Sequence, residues 1–271
     1  MVRSLWTAAT GMIAQQTNVD TIANNLANVN TTGYKTQVNE FKSLLYQTIQ
    51  TKTTSANGEA KPSSAQVGLG VRNASISSVF KEGNLLASDS DTAFAIDGKG
   101  FFAVRGEDGN TYYTRNGNFK FTLATNGNML ATSEGLPVLD STGKPIVLDQ
   151  KYVVSNITVS KDGSLCYPDE KNNPQPIGIT IGVFQFNNPN GLEKLSDSRY
   201  QQTAASGPAL NEATNNALEK SSVIQGYLEG SNVQVVDEMV NMIVAQRAYE
   251  LNSKAITASD EMLQQANNLR R

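Results

Sequence analysis

Histidine is absent from this 271-residue chain, and Cys166 is its sole cysteine. Without imidazole or a second thiol the chain offers no internal disulfide, no Cys/His metal site, and no Ser-His or Cys-His catalytic pair. Charge is scarce too: 22 Lys+Arg against 25 Asp+Glu leave a net charge of −3, which gives no basic face for nucleic acid. No run approaches the roughly 20 apolar residues that cross a bilayer, and MVRSLWTAATGMIAQQ lacks the unbroken apolar stretch of a secretory signal. The expectation is no nucleic-acid partner, no membrane insertion and, if the protein leaves the cytoplasm, export by a dedicated route without a cleaved signal peptide.

Proline is missing from both ends. All eight prolines lie between Pro62 and Pro208, so long helices are permitted only outside that span. In the N-terminal arm Leu5, Met12, Val19 and Leu26 recur every seven residues, with Ala8, Ile22 and Val29 between them and Ser4 placed to cap the helix. In the C-terminal arm Val235, Met242, Tyr249, Ile256 and Leu263 are also seven apart, which predicts a helix over 233–269. Each stripe alone fits the core face of an ordinary globular helix. The first 34 residues, however, carry just two charges, Arg3 and Asp20, and the face away from the stripe is Thr, Asn, Gln and Ala. A solvated face is normally charged, so this one is read as facing other protein.

Between the arms the period changes to two. AFAIDGKGFFAVR (93–105), NTYYTRNGNFKFTL (110–123), YVVSNITVS (152–160) and IGITIGVFQF (177–186) are rich in β-branched and aromatic residues and are separated by DG, NG and GN pairs, the pattern of antiparallel strands. The fold class expected is α+β: a coiled-coil-like arm from the two terminal helices and a central antiparallel β-rich domain. The divisions are 1–35 for the N-terminal arm, 36–83 for a connector, 84–215 for the β domain, 216–232 for a return connector and 233–271 for the C-terminal arm. Within the connector, FKSLLYQTIQ (41–50) has Phe41, Leu44, Leu45 and Ile49 at helical spacing, and 51–66 is a polar loop.

Hints of chemistry fail on context. Gly98-Lys99-Gly100 with Ala103 matches a dinucleotide fingerprint, but it opens the strand-like FFAVR where the motif needs a helix. Asp89-Ser90-Asp91 begins like a calcium loop, yet Phe94 and Gly100 stand where glycine and glutamate are required. Ser78-x-x-Lys81 lacks the motifs that accompany it in a serine acyltransferase. Neighbouring carboxylates, Asp237 with Glu238 and Asp260 with Glu261, point apart on a helix. The chain is therefore read as a non-enzyme without cofactor or metal. Tyr112, Tyr113, Phe119 and Phe121 raise a carbohydrate-binding alternative, although alternation places the last three on one strand face, where core is expected.

NNLANVNTTGYK (24–35) is costly as a helix end, since each Asn or Gly inside a helix loses roughly 0.5–1 kcal/mol against alanine. Asn24, Asn25 and Asn28 share a side, so their amides are expected to reach adjacent helices, with Gly33 ending the helix in positive φ. The stretch also resembles the N-terminal signature of bacterial flagellar rod and hook proteins, and LEGSNVQVVDEMVNMIVAQRAYELNSKAI is similar to the closing segment of that family. GKGFFAV (98–104), YTRNGNF (113–119), FNNPNGL (186–192) and QGYLEGSNV (225–233) fall in family order.

The resemblance, with LLYQTIQ (44–50) and VGLGVR (67–72), implies a subunit of the distal part of the flagellar rod. A proximal rod protein of the same family and a secreted β-domain wall-binding protein are the alternatives. It implies helical polymerisation of copies of the chain, subunits delivered by the flagellar type III export apparatus, and a basal-body location in the periplasmic space. Its other partners would be proximal rod proteins, the hook protein, a rod cap and surrounding ring proteins. The interface then expected comprises the stripe residues Leu5, Met12, Val19, Ile22, Leu26 and Val29 with Asn24, Asn25, Asn28, Gly33 and Tyr34. On the C-terminal side it comprises Val235, Met242, Gln246, Arg247, Tyr249, Ile256 and Leu263.

Overall fold

The computed structural model describes residues 2–50, 65–124, 127–169, 173–215 and 217–268. Most of the polar loop expected at 51–66, residues 170–172 and the last three residues lie outside the described residues. The chain forms two compact units. Of the described residues, 2–27, 37–50, 65–77 and 234–268 make the first, and 28–36 with 78–233 the second.

The first unit is built on two helices, α1 (Val2–Ala27) and α2 (Val235–Asn268). Ser4 lies inside α1 rather than capping it, and its Oγ stands 3.3 Å from Ser259 Oγ. Asn252 presses on Gly11, where an added Cβ would sit 2.9 Å from Asn252 Nδ2. Further along, Asn25 Nδ2 donates to Glu238 Oε2 at 3.3 Å. These contacts advance by seven and fourteen residues on α1 while retreating equally on α2, so the helices pack antiparallel in one register. Ala8, Ala14, Thr21, Ile22 and Ala245 are buried beside them.

The closest contacts of the seam are therefore small and polar, with Ala8 and Ile22 of the expected stripe buried beside them and its larger members only half-buried. Glycine, alanine and serine let two helices approach closely, and closeness replaces bulk as the source of contact. Leu5, Met12, Val19 and Leu26 are half-buried, as are Met242, Ile256 and Leu263, whereas Val235 and Tyr249 are exposed. The bulkiest apolar side chains turn outward: Trp6 is 68% exposed, Ile13 65%, Val236 74% and Leu251 66%.

Strands complete this unit. Gln37–Ser43 pairs with Val71–Ser78, and Tyr46–Gln50 runs antiparallel to Ala65–Gly68. The segment 41–50 is thus extended where apolar spacing pointed to a helix. Ten residues fall short of the roughly 12–15 at which a helix begins to hold by itself, and strand pairing outweighs so weak a local preference. Gly70, at φ +113, approaches α1 so closely that a Cβ would fall 2.1 Å from Thr10 Oγ1.

The second unit is the antiparallel β body. Its largest sheet has six strands in the order Glu193–Lys194, Arg199–Gln201, Thr111–Thr114, Phe101–Arg105, Val183–Gln185 and Leu210–Asn211, every neighbour antiparallel. FFAV in the middle is buried on both faces. Phe102 and Val104 join Phe94, Phe119, Leu130, Val138 and Ile181 on one side, and Phe101 and Ala103 join Tyr113, Leu139, Phe186 and Tyr200 on the other. Burying one such Phe or Val stabilises by roughly 1.5–3 kcal/mol, so these two clusters are what makes this unit a domain. Edge-to-face rings add to the second cluster, with Tyr113 and Phe186 centroids 4.8 Å apart. Tyr113 and Phe119 thus belong to the core, as expected, but to opposite faces. Of YVVSNITVS, only Thr158–Val159 is strand, and Val154–Asn156 is a 3-10 turn.

Candidate assembly interface

In the first unit, the asparagine-rich helix end is tied down within the chain. Asn25 is 1% exposed; its Nδ2 donates to the Gln37 carbonyl at 2.8 Å while its Oδ1 accepts the Gln37 N–H at 2.9 Å. A carboxamide that gives and takes one hydrogen bond imitates a strand edge, so Asn25 holds the start of Gln37–Ser43. Asn24 Nδ2 reaches Gln37 Oε1 at 3.0 Å. The amides expected to reach sister helices thus bond within their own unit. Of the remaining residues singled out from the sequence, Val19, Gln246 and Tyr249 come together around one shallow hollow with Gln16 and Glu250. Arg247 is exposed, and its Nη1 meets Glu250 Oε2 at 2.9 Å, a surface pair worth at most about 0.5 kcal/mol.

In the second unit, Asn28 Oδ1 accepts from Thr31 Oγ1 at 3.1 Å, and Val29 is half-buried in the same turn. Gly33 has φ +68 but lies six residues past the end of α1, so it shapes this turn instead of ending the helix. Its N–H donates to the Glu229 carbonyl at 2.8 Å, and an added Cβ would lie 2.6 Å from the Asn116 nitrogen. Glycine is required on both counts.

Around this turn three distant motifs converge: TGYK, TRNG and LEGSN. Lys35, Arg115 and Glu229 are all essentially buried. Glu229 Oε1 accepts from Lys35 Nζ at 2.5 Å and from the Gly83 N–H at 3.1 Å, while Oε2 faces Arg115 Nη1 at 3.3 Å. The guanidinium also donates to the Gly98 carbonyl at 2.6 Å and lies 5.3 Å from the Phe101 ring centre. Lys35 completes its shell with the Lys81 carbonyl at 2.8 Å. Burial pushes the Lys35 ammonium below the usual lysine range, against the attraction of Glu229, which favours the charged form.

Asn232 extends the clamp: its Oδ1 accepts from the Thr36 N–H and hydroxyl, both at 2.7 Å, and its Nδ2 donates to the Val79 and Lys81 carbonyls. Tyr34 is buried beneath Lys194, whose Nζ sits 4.2 Å from the ring centre. The chain segments that follow α1 and precede α2 in sequence are thus fixed to the same part of the β body. Sequence reasoning passed over Lys35, Arg115, Glu229 and Asn232. The signal available was that each lies inside a quoted motif containing glycine, but nothing in one sequence pairs positions so far apart.

Sheets carried by aromatic clusters, flanked in sequence by two helices with exposed apolar rows, are the architecture of a structural subunit. The comparisons agree. Three family profiles match: "Flagella basal body rod protein" at residues 5–35, "Flagellar hook protein FlgE/F/G D1 domain" at 95–167 and "Flagellar basal body rod FlgEFG protein C-terminal" at 224–269. Among curated relatives, the flagellar basal-body rod protein FlgG of Borreliella burgdorferi is 43% identical over all of both chains. Those of Caulobacter vibrioides and Bacillus subtilis are 39% identical over 99% of this chain and 35% over all of it, each covering the whole relative. The chain belongs to the flagellar basal-body rod protein family. It is a structural component of the flagellar basal body and not an enzyme.

Proposed function

We propose that this chain polymerises helically into the distal rod, the rigid drive shaft of the flagellar basal body, which is needed for motility. In the polymer α1 and α2 form a coiled-coil-like arm that packs against the arms of neighbouring copies, while the β body contributes the other layer. The observation that carries this reading is the arrangement of the helix pair: a seam whose closest contacts are small and polar inside, and uncovered rows of Trp6, Ile13, Val236, Val240, Ile243, Val244 and Leu251 outside. A solvent-facing surface of that kind calls for a protein partner. Resemblance to the rod and hook family adds proximal rod proteins, the hook protein, a rod cap and ring proteins as neighbours. It also adds the periplasmic space as the location and delivery through the flagellar type III export apparatus without a cleaved signal peptide. Ordering of the helices is coupled to docking, because the entropy lost on fixing them is offset by coverage of the outer rows.

Electron microscopy of purified full-length protein beside a fragment of residues 28–233 tests this. That fragment retains Gly33, Lys35, Glu229 and Asn232, and so the clamp. Filaments are expected from the full chain alone, and filaments of equal abundance from the fragment would refute the reading.

A further inference from the structure

The hairpin that joins Glu193–Lys194 to Arg199–Gln201 carries Lys194 onto the segment following α1 in sequence, with its Nζ 4.2 Å from the Tyr34 ring centre. Its tip is strained. The Arg199 N–H closes the turn on the Ser196 carbonyl at 3.2 Å with Asp197 at φ +59 and Ser198 at φ +55, a geometry that favours Asn-Gly. What Asp197 brings there is its carboxylate. Arg199 Nη2 meets Asp197 Oδ2 at 3.2 Å and, from the turn after Gly127–Thr132, Glu134 Oε2 at 3.5 Å. The two carboxyl groups also hydrogen-bond each other, which requires that one of them carry a proton. Tip and turn line one hollow of about 170 Å³ with Thr31 and Asn116, and both acidic side chains keep access to water, Glu134 40% and Asp197 53% exposed.

We propose that this tip is an acid-tightened latch: a proton taken up between Glu134 and Asp197 fastens the hairpin to the turn at 132–135, and with it the strap over Tyr34. The charged and titratable groups facing the pair are Arg199 on the hairpin and Glu107 beyond Phe101–Arg105. Behind Arg199 lies Tyr112, its ring centre 5.9 Å from the guanidinium carbon and its hydroxyl donating to Asp108 at 2.7 Å. The shared hydrogen bond, partial burial and the negative charges of Asp197 and Glu107 lift the Glu134 carboxyl above the ordinary glutamate range, against the pull of Arg199. Accepting that hydrogen bond, with help from Ser196 and Arg199, holds Asp197 below the ordinary aspartate range. A carboxyl raised in the folded state adds stability that is lost as pH rises through its folded value, and a lowered one adds stability that is lost as pH falls through its own. The latch is therefore tightest at about pH 4, where free aspartate and glutamate titrate, and loosens toward neutral pH. A plain arginine–carboxylate bridge does the opposite, weakening as acid removes its charges.

Hydrogen exchange of the dilute full-length chain, corrected for the intrinsic pH dependence of exchange, reads the latch at the Leu195 and Arg199 amides, which both donate within the turn. Their protection is expected to rise about threefold between about pH 7 and about pH 4.5, the scale of a contact between half-exposed groups. Glu134→Gln replaces the protonated carboxyl with a permanent donor and is expected to show the acid-state protection at both pH values. Asp197→Asn suits the left-handed turn and so keeps the hairpin, and it is expected to abolish the pH response. Protection that stays level or falls on acidification would overturn the proposal and leave an ordinary Arg199 bridge in its place. So would an undiminished pH response in Glu134→Gln, or a Glu134 carboxyl that titrates by carbon-13 NMR at or below the ordinary glutamate value.

Discussion

Replacing Val240 and Leu251 with aspartate is expected to raise the critical concentration for filament growth more than a hundredfold while leaving the main thermal transition of the β body unchanged. Both side chains are more than half exposed on α2, so neither supports the fold of a lone subunit. Burying each on assembly contributes roughly 1–2 kcal/mol by area, since full burial of Val or Leu is worth about 1.5–3 kcal/mol. Aspartate removes that gain and adds the cost of desolvating an unpaired carboxylate. With about 1.4 kcal/mol per factor of ten, two positions suffice for the stated loss. Turbidity and pelleting against concentration give the number. Assembly by the double variant within a few-fold of the parent would show that the outer row faces water in the rod.

Glu229→Ala is expected to be the most damaging single change to the β body. It strips the carboxylate that bridges Lys35 and Arg115, which have almost no access to solvent. Breaking a buried pair by removing one partner costs about 3–5 kcal/mol, and for a domain of this size each kcal/mol moves the melting temperature by roughly 2–4 °C. Differential scanning calorimetry of the full chain should therefore show the β transition lowered by about 10 °C or more. Lys35→Met should do less harm, because Arg115 still faces Glu229 and the methionine stem fills similar volume. If Lys35→Met proves the worse of the two, the carboxylate is not the hub of the clamp.

The architecture was legible where one physical rule dominated. Proline confinement and heptad spacing located α2 to within two residues and placed α1, although α1 stops at Ala27, six residues before the end expected at Gly33; period-two alternation located the buried FFAV strand. Misreadings arose where two rules compete. In 41–50, four apolar residues fit a helical face, yet the backbone joins strands, because pairing partners in 65–78 are invisible to local spacing. In the helices, periodicity found a seven-residue repeat whose members Ala8 and Ile22 are buried and whose larger members are half-buried. The register that packs within the chain, Ser4, Gly11 and Asn25 against Glu238, Asn252 and Ser259, carries little hydrophobicity and so little signal. NNLANVNTTGYK resolves into Asn25 holding a strand edge, Gly33 shaping a crowded turn and Lys35 entering a buried ion cluster. That last role depends on Arg115 and Glu229, at separations no local reading spans.

Hydrogen exchange of the dilute full-length subunit, compared with the same protein in filaments, tests the central claim most directly. The account predicts rapid exchange along much of α1 and α2 in the lone chain beside a protected FFAV core, with strong helix protection gained only in filaments. Helices as slow to exchange as that core before assembly, and unchanged after it, would contradict the account.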